Sequence, residues 1–194
     1  MHKQMTISTV LLALCLLLSG SRTATVSAQA DSTPTPSGYR ELLNTEIRGL
    51  SPDALEAYRT GAGGGLALPA ELNGYPGPRH VLDLADELGL TEDQQAEIQD
   101  LYDTMLPEAV QLGEQILQVE AALERAFREN TMDETFLEEQ LAEIGALQAQ
   151  LRFVHLRTHI ATVEILTPDQ IEQYNLLRGY ATENTREEGH PGHH

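Results

Sequence analysis

The sequence is poorest in the groups on which covalent catalysis most often rests. Its 194 residues include one cysteine, no tryptophan and three phenylalanines. Lys3 is the only lysine, so no residue downstream can form a Schiff base or act as an amine nucleophile. No G-x-S-x-G turn is present. Gly61-Ala62-Gly63-Gly64-Gly65 lacks both a preceding strand and the lysine of a phosphate loop, which leaves it a flexible connector. The helical E-x-x-H pairs of di-iron bundles are missing. Carboxylates are abundant, but no pattern marks two of them as buried and opposed, as acid–base work requires. These absences point away from an enzyme.

Long hydrophobic runs are lacking as well. The longest, from Ile7 to Leu18, covers about twelve residues, short of the roughly 20 needed to cross a bilayer. It follows Lys3 and precedes small and polar residues that end in Ala28-Gln29-Ala30. That order is the pattern of a secretory signal peptide over residues 1–30, cut after Ala28 or Ala30. Leu12-Ala13-Leu14-Cys15 loosely resembles a lipid-attachment box, but Cys15 lies within the greasy run and follows a bulky leucine. Cleavage would remove Cys15, Lys3 and Arg22, leaving a chain with no thiol, no disulfide and no membrane span. Ten arginines would then face thirty acids, a net charge of −20. Such a charge repels nucleic acid and anionic lipid and favours cations or plain solubility.

Residues 31–38 hold serine, threonine and proline with no apolar content, the composition of a disordered leader. Residues 182–194 are polar and end Gly-His-Pro-Gly-His-His, a loose histidine-containing tail. One folded domain is expected over residues 39–181. Its helix starts are marked by caps. Ser51-Pro52-Asp53 opens one helix. Thr91 with Gln94, and Thr167 with Gln170, form capping boxes, and Thr131 with Glu134 has the same form. From the second cap, Ile98, Leu101, Met105, Ala109, Leu112, Ile116, Val119, Leu123 and Phe127 recur at spacings of three and four. From the third, Leu137, Leu141, Ile144, Leu147, Leu151, Val154 and Ile165 do the same, with Thr158 and Ala161 filling the gap. Only Glu129-Asn130-Thr131 separates the two seams, so the helices must fold back as an antiparallel hairpin with arms of about 50–55 Å. Pro107 should bend the first arm, because it deletes the bond to the Asp103 carbonyl. Shorter helices are expected over 52–60, 78–88 and 168–178. The fold class is all-α: a long antiparallel helical hairpin with shorter flanking helices.

Histidine supplies the sharpest local signal. His155 and His159 stand one turn apart on the second arm, at the apolar seam and its edge, and make a two-ligand start for zinc, nickel or copper. The pair is not the metalloprotease H-E-x-x-H, since Leu156 stands where the glutamate would be. A buried, hydrogen-bonded histidine pair is the bland alternative, and Arg152, one turn earlier, opposes a bound cation. A third ligand would come from another element, with His80 as a candidate. His190, His193 and His194 in the tail can bind transition metals loosely.

The segments Leu90-Thr91-Glu92-Asp93-Gln94 and Leu166-Thr167-Pro168-Asp169-Gln170 both read L-T-x-x-Q and bracket the hairpin. Behind a signal peptide, over about residues 78 to 180, this resembles the Spy/CpxP family, also called the LTxxQ family. The run from Ala70 to Pro78 is similar to a subgroup of periplasmic heavy-metal sensors (ZraP/CnrX-like). The resemblance implies a periplasmic, all-helical cradle, often an antiparallel homodimer. It implies a non-enzymatic stress-response role: a metal-responsive sensor, or an ATP-independent chaperone holding unfolded envelope proteins, with a membrane sensor protein as another partner. Met105, Leu106 and Leu112 are candidates for client contact. Thr91, Gln94, Thr167 and Gln170 remain structural caps in this reading. Chaperones of the family tend to present a basic concave face, whereas this chain is acidic and nearly lysine-free, which fits cation binding or apolar clients better.

Overall fold

The structure, a computed structural model, describes residues 38–181. The signal-peptide and tail assignments lie outside the described residues, as does the leader except for Gly38. A 3-10 turn over Gly38–Asn44 is followed by α1 (Pro52–Thr60), α2 (Leu68–Glu71), α3 (Pro78–Asp83), α4 (Glu92–Glu129), α5 (Glu134–Ile165) and α6 (Pro168–Leu177). No strand occurs among the described residues, and no helix there is long and apolar enough to cross a membrane.

The helices begin where side chains can satisfy their free N–H groups. Ser51 accepts the Ala54 N–H at 3.1 Å. Thr91 accepts from Gln94 at 3.2 Å while the Gln94 amide oxygen accepts the Thr91 N–H at 3.1 Å. Thr167 and Gln170 repeat this exchange at 3.3 and 2.9 Å. The third cap differs from expectation. Asn130 closes α4 in the left-handed region, at φ 56°, and the Thr131 N–H turns back onto the Ala126 carbonyl at 3.0 Å. Thr131 is thereby used in ending α4, and Asp133 caps α5 instead, accepting the Phe136 N–H at 2.8 Å. α4 runs through Pro107 as one helix. The expected helix over 78–88 stops at Asp83, and residues 84–89 continue as turns.

The hairpin arms hold 38 and 32 residues, about 57 and 48 Å at 1.5 Å per residue. Met105, Ala109, Leu112, Ile116 and Val119 of α4 pack against Ile144, Leu147, Leu151 and Val154 of α5. The seam fails toward the tip, where Phe127 and Leu141 are exposed. α1 crosses α4 so closely that a Cβ on Gly113 would lie 2.0 Å from the Tyr58 carbonyl oxygen. Glycine is the only residue that allows that backbone contact, despite costing about 1 kcal/mol in a helix relative to alanine.

A second apolar cluster fastens the open end of the hairpin. Val81, Leu88, Leu90, Ile98, Leu166 and Tyr174 are buried together, so the leucines of both L-T-x-x-Q segments belong to one core. The two capping glutamines also meet. The Gln94 amide donates to Gln170 at 2.9 Å and to the Ile165 carbonyl at 2.9 Å, and the Gln170 amide donates back at 3.0 Å. Each glutamine thus caps its own helix and bonds to the other, which locks the start of α4 to the start of α6.

Candidate metal centre

Between this fastened end and α1 lies a cavity of about 510 Å³, lined from α5 by His155, Thr158 and His159, from α4 by Tyr102 and Met105, and from the segment 60–83 by Glu71, Gly77 and His80 among others. The structure therefore brings together three of the histidines singled out in the sequence. His155 and His159 are buried one turn apart, and His80 faces them from the first turn of α3 with a half-exposed side chain. His190, His193 and His194 lie outside the described residues. The four motif caps stand at the helix starts and do not line the cavity.

Glu71 was not legible as a site residue. It ends the four-residue α2, is 5 % exposed, and gathers nearly every polar contact of the region. Its Oε2 accepts the Gly77 N–H at 3.2 Å. Its Oε1 accepts from the Tyr174 hydroxyl and, at 3.2 Å, from the Tyr180 hydroxyl. Arg178 Nε lies 3.7 Å from Oε1 and His80 Nδ1 lies 3.4 Å from it, while His159 Nδ1 is 3.8 Å from Oε2. The only hint in the sequence was its place in the Ala70–Pro78 run. Its hydroxyl partners, Tyr174 and Tyr180, stand 103 and 109 positions later.

The imidazoles are disposed as potential ligands. His159 Nδ1 is 2.6 Å from the Tyr75 carbonyl oxygen. A carbonyl can only accept, so Nδ1 donates to it, which leaves Nε2 as the ring nitrogen that could ligate, the orientation seen when a metal-ligating histidine is held from behind. Gly77 makes room for this ring, since a Cβ there would sit 2.8 Å from His159 Cε1. His155 is held below the ordinary histidine pKa by burial, with the like charge of His159 adding to the effect. Its Nε2 is buried without a hydrogen-bond partner. A buried polar atom left unsatisfied costs about 1–3 kcal/mol, a cost that binding of a ligand would relieve. Imidazole, carboxylate and the thioether of Met105 suit a borderline cation such as zinc, nickel or copper. Among the described residues no three His, Cys, Asp or Glu side chains are already gathered as a metal-holding group. Side-chain rotation would have to complete the set.

Fold and cavity define a helical-hairpin protein with a histidine-lined chamber under its fastened end. The chain belongs to the heavy-metal resistance family, which is matched over residues 56–173 and falls within the Spy/CpxP-like helical group. That span reaches from α1 into α6 and includes Glu71, His80, His155 and His159. No curated protein and no solved structure matches the chain significantly.

Proposed function

We propose that the protein is a non-enzymatic, metal-responsive binder or sensor of the periplasm, and that its chamber takes one divalent transition metal on His155 and His159, with Glu71 and His80 supplying further donors. The observation that carries this reading is the buried pair itself. Two buried imidazoles one turn apart face the same chamber as a buried carboxylate, and one of them holds a ring nitrogen with no protein partner. Membership of the heavy-metal resistance family supports it. The family-like subgroup of periplasmic heavy-metal sensors is the matching role, and a homodimer is the matching assembly.

Calorimetric titration of chelator-treated protein with Zn²⁺, Ni²⁺ and Cu²⁺ tests the reading. Stoichiometric binding is expected, weakened more than about tenfold by His155→Ala or His159→Ala, in line with the loss of a ligand exceeding the loss of a supporting group. Absence of binding, or binding indifferent to both substitutions, overturns it. A second reading, an ATP-independent chaperone, is favoured by the apolar side chains Phe127, Leu141, Phe153 and Ile160 left exposed along the hairpin. Suppression of client aggregation without ATP is its measurement.

A further inference from the structure

The two oxygens of Glu71 have different sets of neighbours. Oε1 is held chiefly from the C-terminal end: Tyr174 of α6 and Tyr180 just beyond it donate hydroxyl hydrogen bonds and Arg178 lies within ion-pair distance, while His80 Nδ1 of α3 stands 3.4 Å from the same oxygen. Oε2 has one hydrogen bond, from the Gly77 N–H, and its other flank faces His159. We propose that Tyr174 and Tyr180 are positioning residues that fix Glu71 with Oε2 presented to the chamber, and that a divalent cation bound there is thereby coupled to the docking of residues 174–181. This rests on the metal-binding reading given above.

The physical basis is preorganisation followed by reciprocity. A carboxylate free to rotate loses more entropy on becoming a ligand than one already held, and outer hydrogen bonds of this kind are typically worth about 10–100-fold in metal affinity. Tyr174 is suited to the task. It is fully buried, and burial, with help from its bond to Glu71, raises its hydroxyl pKa, so it stays a donor throughout the ordinary pH range. Tyr180 is only partly covered, with 36 % exposure, and Arg178 is a third exposed on its side chain, so this end of the chain holds Glu71 through weaker, more readily broken contacts. If docking of the C-terminal turn raises affinity for the cation, the cation must favour docking by the same factor. Tyr174, Arg178 and Tyr180 all fall just beyond the family-matched span, which ends at residue 173.

Three readouts test it on the whole protein with Zn²⁺ as the probe. In the wild type, Zn²⁺ should slow amide hydrogen exchange across residues 174–181 and shift the tyrosine ultraviolet difference spectrum, which no tryptophan obscures. Tyr174→Phe keeps the ring and removes the hydroxyl. It should weaken Zn²⁺ binding about tenfold or more and abolish the metal-linked protection. Tyr180→Phe, at a partly exposed position that should not disturb folding, should weaken binding by a smaller factor in the same direction. A merely structural role would lower metal-free stability but leave Zn²⁺ affinity and the spectral shift unchanged. Zn²⁺ binding that depends on His155 and His159 but is unaffected by either tyrosine substitution would overturn the coupling and leave the metal reading intact. No Zn²⁺ binding by the wild type would overturn both.

Discussion

At the scale of single residues, His155 combines burial with an unmet hydrogen bond and should leave a mark on stability as well as on binding. Its pKa in the folded state lies below the ordinary 6.5, chiefly because burial disfavours the charged ring. Above pH about 6.5 the ring is neutral in both states and its contribution is fully present. As pH falls below that value the unfolded chain takes up the proton first, so stability is lost progressively until the folded-state pKa is reached. We expect the metal-free protein, melted with a chelator present, to lose Tm between about pH 7 and 5.5, and His155→Gln to lose distinctly less. An identical slope in the two proteins would mean that His155 is not buried as a neutral ring.

At the scale of elements, the Gln94–Gln170 pair makes one unit of two helix starts separated by 76 positions in sequence. Each glutamine accepts the N–H of its own capping threonine and exchanges amide bonds with the other. Replacing either by alanine removes its own cap bond and the whole exchange, while replacing both removes the exchange only once. A double-mutant cycle on Gln94→Ala and Gln170→Ala should therefore show non-additivity on the order of 1 kcal/mol in urea unfolding. Additivity would reduce the two glutamines to independent caps. The caps themselves were readable in sequence because an N-cap is decided within four residues: Ser51, Thr91 and Thr167 behave as their spacing predicts. Thr131 does not, since the left-handed Asn130 sends its backbone back onto Ala126. The hairpin seam was legible wherever both arms are present to bury it, and illegible at Phe127 and Leu141, where spacing continues but covering structure does not. His155, His159 and His80 were visible as candidates because helical spacing or a helix start placed them. Glu71 was hidden among thirty acids because its burial depends on Tyr174, Tyr180 and Gly77, which no local pattern links to it.

At the scale of the whole molecule, α5 carries more apolar surface than one partner helix can use. Its inner seam meets α4, yet Ala149, Phe153, Leu156, Ile160 and Val163 recur on another side at spacings of four and three, with Phe153 and Ile160 61 % and 54 % exposed. That alternation is the pattern by which a helix seats against another helix along a narrow stripe. Arg157 lies over the Phe153 ring and pairs with Glu108, which shields one end of the stripe but not Ile160. For the homodimer proposed above, a second copy would cover this face, in competition with any unfolded chain held there. Charge acts against it, because copies of an acidic chain with a net charge of −18 repel. Salt should therefore strengthen the association rather than weaken it, as screening over about 8–10 Å removes the repulsion and leaves the apolar contact. Sedimentation velocity should show a dimer that becomes more dominant as salt is raised. The double substitution Phe153→Ser and Ile160→Ser should give a monomer of unchanged helical content at every salt concentration. A wild type that stays monomeric in high salt would leave the stripe open and assign it to client holding, in which case the same double substitution should abolish suppression of aggregation while the protein's sedimentation stays as before.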